Sequence, residues 1–317
     1  MNEFELIRRY FADGGSARDD VVLGIGDDAA VLHVPEGHDL VVTTDSLIEG
    51  VHFPSSLNAE AVGHRALAIN LSDLAAMGAE PSWVLLALTL PEANPAWLAD
   101  FSRGFFNLAK QHHAALVGGN VARGPLNATV TAHGFVPHGH SITRSGTQPG
   151  DRIYVTGHPG DAAAGLQLLQ AGNADYNNPC IRRFAYPEPR IAAGIAVRNV
   201  ASAGIDISDG LLADLGHILE ACGLGAQLHL EKLPLSPALL ELHDLESARS
   251  LALTAGDDYE LCLTVQPAQS ALLEQRLQAI DCAVTCVGTI ESETGIRCLD
   301  ARGENRWYAA TGHEHFR

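Results

Sequence analysis

Lysine is almost missing from this chain. Only Lys110 and Lys232 occur in 317 residues, and neither follows a glycine-rich loop. A Walker A site needs Gly-Lys-Ser/Thr, so that route to phosphate binding is excluded. The protein-kinase set of a strand lysine with HRD and DFG motifs is missing too. No apolar window of about 18 residues occurs, so no membrane span is expected. The N-terminus, MNEFELIRRYF, is charged and amphipathic without an apolar leader core, so no secretory signal is expected. The six cysteines (Cys180, Cys222, Cys262, Cys282, Cys286, Cys298) form no CxxC knuckles, and most sit in apolar runs. They read as reduced cysteines of a cytoplasmic protein, with no zinc site. No repeat of fixed period is visible. Positive charge is short overall: 20 Lys and Arg face 38 Asp and Glu, a net charge of -18. That balance argues against nucleic acid or an anionic membrane as partner. A polyanion can still be held where cations intervene, so phosphate would be handled by metal and arginine.

Acid is what the chain has, and it is placed with a recurring grammar. GIGDDAAV (Gly24 to Val31) sets Asp27 and Asp28 on a small-residue loop after the apolar run Val21-Val22-Leu23. VVTTDS ends at Asp45, LSDLAAMG surrounds Asp73, IDISDG carries Asp206 and Asp209, and AGDDYE carries Asp257 and Asp258. Adjacent carboxylates repel and need a counter-charge. Acids delivered to element ends by apolar runs are expected to converge on metal ions that hold a phosphate-bearing substrate.

The length suits two domains, and 46% hydrophobic residues support a sizeable core. The first half reads as a helix over 3–11, strands at 21–23 and 30–34, a Pro35-Glu36-Gly37 turn, and a strand over 40–44 ending at Asp45. The turn predicts a hairpin between those last two strands. A helix over 59–77 stops at Gly78. A strand over 83–90 follows, then a helix opened by Asn94-Pro95 and running to about 113. Strands at 114–117 and 126–136 complete this half. The stretch 137–150, rich in Gly, Pro, His and Ser, is the expected boundary between domains at 1–137 and 150–317. The second half reads as strand 152–156, helix 161–170, a loop with a short helical piece over 173–189, and a helix from Pro189 to about 202. Strand 205–207 leads to a helix capped by Ser208-Asp209 and ending at Gly223. Strands near 226–230 and 261–265, a helix over 267–280 and strands at 284–290 and 296–299 close the chain. The mixture predicts an α+β fold.

GIGDDAA also fits the dinucleotide template G-x-G-x-x-A, with Asp45 downstream as a ribose partner. That template needs a helix straight after the glycines, whereas 31–39 reads as strand and turn. A plain surface turn with two solvated acids is the simpler alternative for one copy, weakened by the other acid-bearing motifs. Thr43, Thr44 and Asp45 offer oxygen ligands of the kind magnesium takes. Asp73 either joins them or partners a core arginine such as Arg65. Asp206 lies on an apolar strand where an unpaired charge is costly, and Ser208 is either a helix cap, a phosphate seat, or both. Gly118-Gly119-Asn120 allows close backbone approach to a ligand. Arg123 and Arg144 are either phosphate clamps or surface ion-pair members. His52 is a candidate ligand contact. The pairs His138/His140 and His313/His315 are expected by chance among 15 histidines and do not indicate zinc.

The runs GIGDDAA, TTDSLIEGVHF, ALAINLSDLAAMGAEP, LVGGN, RSGTQPGD, VTGHPGDAAAGL, IDISDGLLADLGHI and GDDYEL together resemble the thiamine-monophosphate kinase family. That family belongs to the superfamily of aminoimidazole ribonucleotide synthetase and selenophosphate synthetase. The resemblance covers essentially the whole chain. It implies an ATP-dependent kinase that converts thiamine monophosphate to thiamine diphosphate with several Mg2+ ions. It also implies a homodimer in which the N-terminal sheets of two subunits form a barrel, with a C-terminal α/β sandwich completing the site. By position, Asp28, Thr43, Thr44, Asp45, Asp73, Asn120, Asp206 and Asp209 match magnesium ligands. Gly119, Asn120, Arg144 and Ser208 match ATP contacts, Arg144 as phosphate clamp, and His52, Asp257 and His313 match substrate contacts. Three positions depart from the family pattern: Asn120 for Asp, Asp257 for Glu, and His313 for an aromatic residue. The acceptor is a phosphate oxygen, so direct in-line transfer with no nucleophilic residue is expected. An ATP-using synthetase acting on another small molecule, such as a purine intermediate, is the alternative within the superfamily. A non-catalytic metal and nucleotide sensor is the alternative outside catalysis.

Overall fold

The computed structural model describes residues 3–12 and 14–309, and the chain divides into two compact units. The first holds the chain up to Leu74 and Ala79–Gly139; the second holds Ala75–Gly78 and the chain from His140 onward. The fold is mixed α+β in both.

The first unit runs α1 (Glu3–Tyr10), β1 (Val21–Leu23), β2 (Val31–Leu32), β3 (His38–Ile48), α2 (Ala59–Ala76), β4 (Glu80–Leu90), α3 (Pro95–Gln111), β5 (Ala115–Arg123) and β6 (Asn127–Pro137). Four strands form one sheet in the order β3-β6-β4-β5, with only the β4–β5 pair parallel. Local chemistry explains the helices. The Asn94 side chain accepts from the Ala96 and Trp97 N–H groups, and Pro95 follows at the first helical position. The helix α2 is buried on nearly every face, so it has no amphipathic stripe. Its stop is Gly78, at φ +66°. The helices α2 and α3 approach so closely that a Cβ on Gly63 would lie 2.0 Å from the Phe101 carbonyl oxygen.

Three expectations are corrected here. The Val31–Leu32 strand pairs with β1 and not with β3, so the hairpin turn is the acidic loop itself. The strand β3 continues past Asp45 to Ile48 because its backbone pairs with β6 along its whole length, which places Asp45 inside a strand. The Gly118-Gly119-Asn120 stretch is likewise part of β5, pairing with Leu85, Leu86 and Ala87 across a register irregularity. A Cβ on Gly119 would sit 1.9 Å from the Leu86 carbonyl oxygen, so this glycine serves the sheet first.

The second unit runs β7 (Arg152–Thr156), α4 (Asp161–Gln170), α5 (Pro179–Ala185), α6 (Ile191–Ala196), β8 (Ala201–Ile207), α7 (Leu211–Cys222), β9 (Gly225–His229), α8 (Pro237–Leu242), α9 (Leu245–Thr254), β10 (Glu260–Val265), α10 (Ser270–Gln278), β11 (Val284–Glu291), β12 (Gly295–Leu299) and β13 (Asn305–Arg306). The sheet order is β13-β12-β9-β11-β7-β10-β8, antiparallel except for β12 with β9. Its core packs Ile205, Ile207 and Cys262 against Leu211, Leu215 and Ile218 of α7. A second cluster joins Ala164, Cys180, Leu239 and Ala248 from the α4, α5, α8 and α9 helices. The helix expected from Pro189 to about 202 is only α6: Asn199 takes φ +62° and turns the chain into β8. All six cysteines are free. No helix among the described residues is long and apolar enough to cross a membrane.

Candidate functional site

In the first unit, strand alternation sorts the TTDS stretch onto two faces. Thr43 and Asp45 leave β3 toward α2. The Thr43 hydroxyl donates to Asp73 Oδ2 at 2.5 Å, and the Asp45 N–H donates to Asn70 Oδ1 at 2.9 Å. Asn70 is fully buried and braced by its own bond to the Ala66 carbonyl at 3.1 Å. Asn70 and Asp73 stand three residues apart on α2, so one helix face meets two alternate positions of one strand. Thr44 leaves β3 on the other face. Its hydroxyl bonds the Val130 carbonyl at 3.1 Å and the Thr131 hydroxyl at 3.0 Å. Adjacent strand residues point oppositely, so Thr43 and Thr44 present their hydroxyls on different faces of β3.

The acidic hairpin loop lies over that other face. Val21, Ala30 and Leu32 pack on Trp83 and Phe135. Between hairpin and sheet is a cavity of about 740 Å³ lined by Asp27, Asp28, Gly119, Asn120, Leu85 and His133, among others. The structure thus brings Asp28 to Gly119 and Asn120, two stretches far apart in sequence. Asp45 and Asp73 are not among the residues that line this cavity. Both acids of the Asp27-Asp28 pair line the cavity, and Asp27 also accepts the Asp28 N–H at 2.8 Å, which shapes the loop. His133, half-buried at the cavity wall, bonds the Trp83 carbonyl through Nδ1 at 3.3 Å, and burial lowers its pKa, which favours the neutral ring. His52 Nδ1 accepts the Ile48 N–H at 3.0 Å, so its proton is on Nε2 and that nitrogen is a donor.

In the second unit, Asp206 is buried at the edge strand β8, paired with Leu261 of β10. Ser208 and Asp209 follow, partly exposed. Ser208 is not the helix cap that the sequence suggested. Gly210 holds the N-cap position at φ +110°, and the Ser208 and Asp209 N–H groups both donate to Asp214 Oδ2, at 3.1 and 3.0 Å. Asp214 was missed because an acid in the first turn of a helix reads as a macrodipole partner. Burial pushes its pKa up to about 7, helped by the charge of Asp209 and opposed by those N–H bonds. The GDDYE stretch lies beside this turn: Asp257 N–H donates to the Ser208 carbonyl at 2.9 Å, and Asp257 and Tyr259 both take left-handed backbone angles. Asp258 points inward and accepts the Gly160 N–H at 2.8 Å ahead of α4. Glu260, fully buried, is bound by Arg190 through two bonds of 2.7 Å, by Arg183, and by the Thr156 hydroxyl at 2.6 Å. Burial pulls the Glu260 pKa upward, but the Arg190 bond and the charges of Arg190 and Arg183 outweigh it and leave it low. Arg144 is exposed on the segment that precedes Gly146. His313 lies outside the described residues.

The donors offered are carboxylate, hydroxyl and amide oxygen, which suit Mg2+ and not a soft metal. Among the described residues no three His, Cys, Asp or Glu side chains close into a metal cage.

Two family models match. One is the AIR synthase related protein N-terminal domain over residues 26–136, the other its C-terminal domain over 148–300. The chain is 46% identical to the thiamine-monophosphate kinase of Escherichia coli K12 over 321 residues, covering 99% of this chain and 98% of the relative. A crystal structure of thiamine-monophosphate kinase from Stenotrophomonas maltophilia K279a superposes with a TM-score of 0.85 at 46% identity, over 91% of this chain and 93% of that one. The structure of AaThiL complexed with AMPPCP and TMP gives a TM-score of 0.78 at 32% identity, over 92% of each.

Proposed function

We propose, because the chain belongs to the AIR synthase related family and within it to the thiamine-monophosphate kinases, that it transfers the terminal phosphate of ATP onto thiamine monophosphate, giving thiamine diphosphate. It is an enzyme, a kinase whose acceptor is itself a phosphate. The observation that carries the reading furthest is the likeness to AaThiL complexed with AMPPCP and TMP, over almost the whole chain.

Transfer is direct and in line. The attacking oxygen belongs to a phosphate that is anionic near neutral pH, so no strong general base is needed. The barrier is the alignment of two polyanions that repel each other. Mg2+ held by Asp28, Thr43, Asp45, Asp73, Asn120, Asp206 and Asp209, its ligands in this reading, would supply charge neutralisation. Thr44 fits least well, since its hydroxyl is engaged by β6. Gly119 and Asn120 beside the cavity, with Ser208 and Arg144, contact ATP, and Arg144 clamps phosphate. His52, presenting Nε2–H, and Asp257 contact the substrate; His313 retains the role implied by its position. No residue acts as nucleophile.

The domains act as a dimerising ATP-binding half, 1–137, and a C-terminal half, 150–317. Two copies pair their open N-terminal sheets into a barrel, and the free cysteines suit a cytoplasmic protein. The test is direct: the purified protein, ATP and Mg2+ yield thiamine diphosphate from thiamine monophosphate. Turnover with a purine intermediate instead, and none with thiamine monophosphate, would replace this reading by the synthetase.

A further inference from the structure

Asp214 is buried to 2% exposure on the first turn of α7. Its Oδ2 takes two consecutive backbone N–H groups, from Ser208 and Asp209. Its own N–H donates to the Gly210 carbonyl at 3.0 Å. Side chain and main chain together close a ring around Ser208-Asp209-Gly210. The other flank of the turn is also gripped. Asp257 N–H holds the Ser208 carbonyl, and a Cβ on Gly210 would lie 2.8 Å from the Thr254 carbonyl carbon.

The choice of residue is informative. Two neutral N–H groups can be satisfied by a hydroxyl or an amide oxygen. An acid buried beside Asp209 carries a desolvation penalty and a like-charge contact that a neutral acceptor avoids. One carboxylate oxygen takes both N–H groups, at 3.1 and 3.0 Å, and so ties two consecutive amides of the turn to a single atom of α7. The two residues whose amides it fixes are the two that leave this turn partly exposed with oxygen-bearing side chains.

We propose that Asp214 is a positioning residue: it locks the Ser208-Asp209 backbone and so sets the direction in which those side chains offer oxygen to metal and nucleotide. This rests on the metal and ATP roles given above to Asp209 and Ser208.

The test uses the full-length protein and Mn2+ as probe, followed by loss of the free-ion EPR signal without nucleotide, alongside the KM for thiamine monophosphate and the melting temperature. Asp214→Leu removes the acceptor, and its Mn2+ dissociation constant is expected to rise about 10- to 100-fold, with KM unchanged. Asp214→Asn keeps an acceptor oxygen and is expected to bind Mn2+ like the parent. Asp214→Glu keeps charge and displaces the acceptor by one methylene; it carries the test if the leucine variant does not fold, with a rise of about tenfold expected. Parent-like Mn2+ binding in a folded leucine or glutamate variant overturns the inference. So does an asparagine variant that fails as leucine does. Asp209→Asn is the control: if it leaves Mn2+ binding unchanged, the metal reading of the turn is what fails, and this inference goes with it.

Discussion

Adjacent acids in this protein divide their work. Asp27 and Asp28 both line the cavity, but Asp27 alone also ties the loop by accepting its neighbour's N–H; Asp257 meets the Ser208 turn while Asp258 faces inward onto Gly160. The pairing was legible in the sequence, but the division was not, because it depends on which N–H groups the fold brings near. Burial raises the Asp258 pKa well above its ordinary 3.8, against the Gly160 N–H bond. A raised acid adds stability that is full below its unfolded value and is lost as pH rises through its folded one. Asp258→Asn keeps an acceptor for Gly160 and removes the charge. Its melting temperature, followed upward from about pH 4, should therefore fall less steeply with pH than the parent's; equal slopes would remove Asp258 from the account. Asp45 makes the opposite case. Its side chain is exposed, so Asp45→Ala should leave the fold intact. Turnover should drop more than about 100-fold, beyond the range for residues that only support a ligand, and the Mg2+ needed should rise. Steady-state kinetics across Mg2+ concentration checks both.

At the scale of elements, Glu260 anchors β10 to the α5–α6 region through Arg183 and Arg190. Removing Arg190 takes away two of the bonds to the buried Glu260 and leaves Arg183 as its remaining cation. Arg190→Met should lower the unfolding free energy by up to about 3 kcal/mol, the low end for a broken buried pair because Arg183 still faces Glu260, read from urea denaturation. Elements with strong local signals could be read from sequence alone. The cap Asn94-Pro95 sets α3, and β7 and α4 lie where their residues predict. Errors arose where pairing decided. The strand β3 runs on past Asp45 because β6 offers partners to Ile48, and β2 joins β1 because the acidic loop is short enough to be a turn. The helices α8 and α9 lie in a stretch whose short apolar runs carry no clear period. The candidate site residues stand out in the sequence as motifs, acids set between small residues, and their roles rest on the proposal above. Asp214 and Asn70 do not stand out, because each acts through the backbone of another residue.

For the molecule as a whole, apolar side chains stand exposed on the edge strand of the first sheet. Val42 is 54% exposed and Leu40 42%, on the edge strand β3, and Val22 on the nearby hairpin is 69% exposed. An edge strand of eleven residues with apolar side chains outward invites pairing with another copy. Val42→Glu should convert a dimer to monomer with its circular dichroism spectrum unchanged, as sedimentation velocity would report. A parent that is monomeric at micromolar concentration would dismiss the barrel. The second unit has a different dependence. Residues 75–78 belong to its packing, although they are made long before the rest of it: Gly194 lies against the Ala75 carbonyl, Arg198 bonds the Gly78 carbonyl, and Ile142 N–H bonds Met77. A fragment begun at residue 140 would therefore lack part of its own interior. On the ribosome, these four residues emerge well ahead of Ile142, Gly194 and Arg198, the groups that later pack on them.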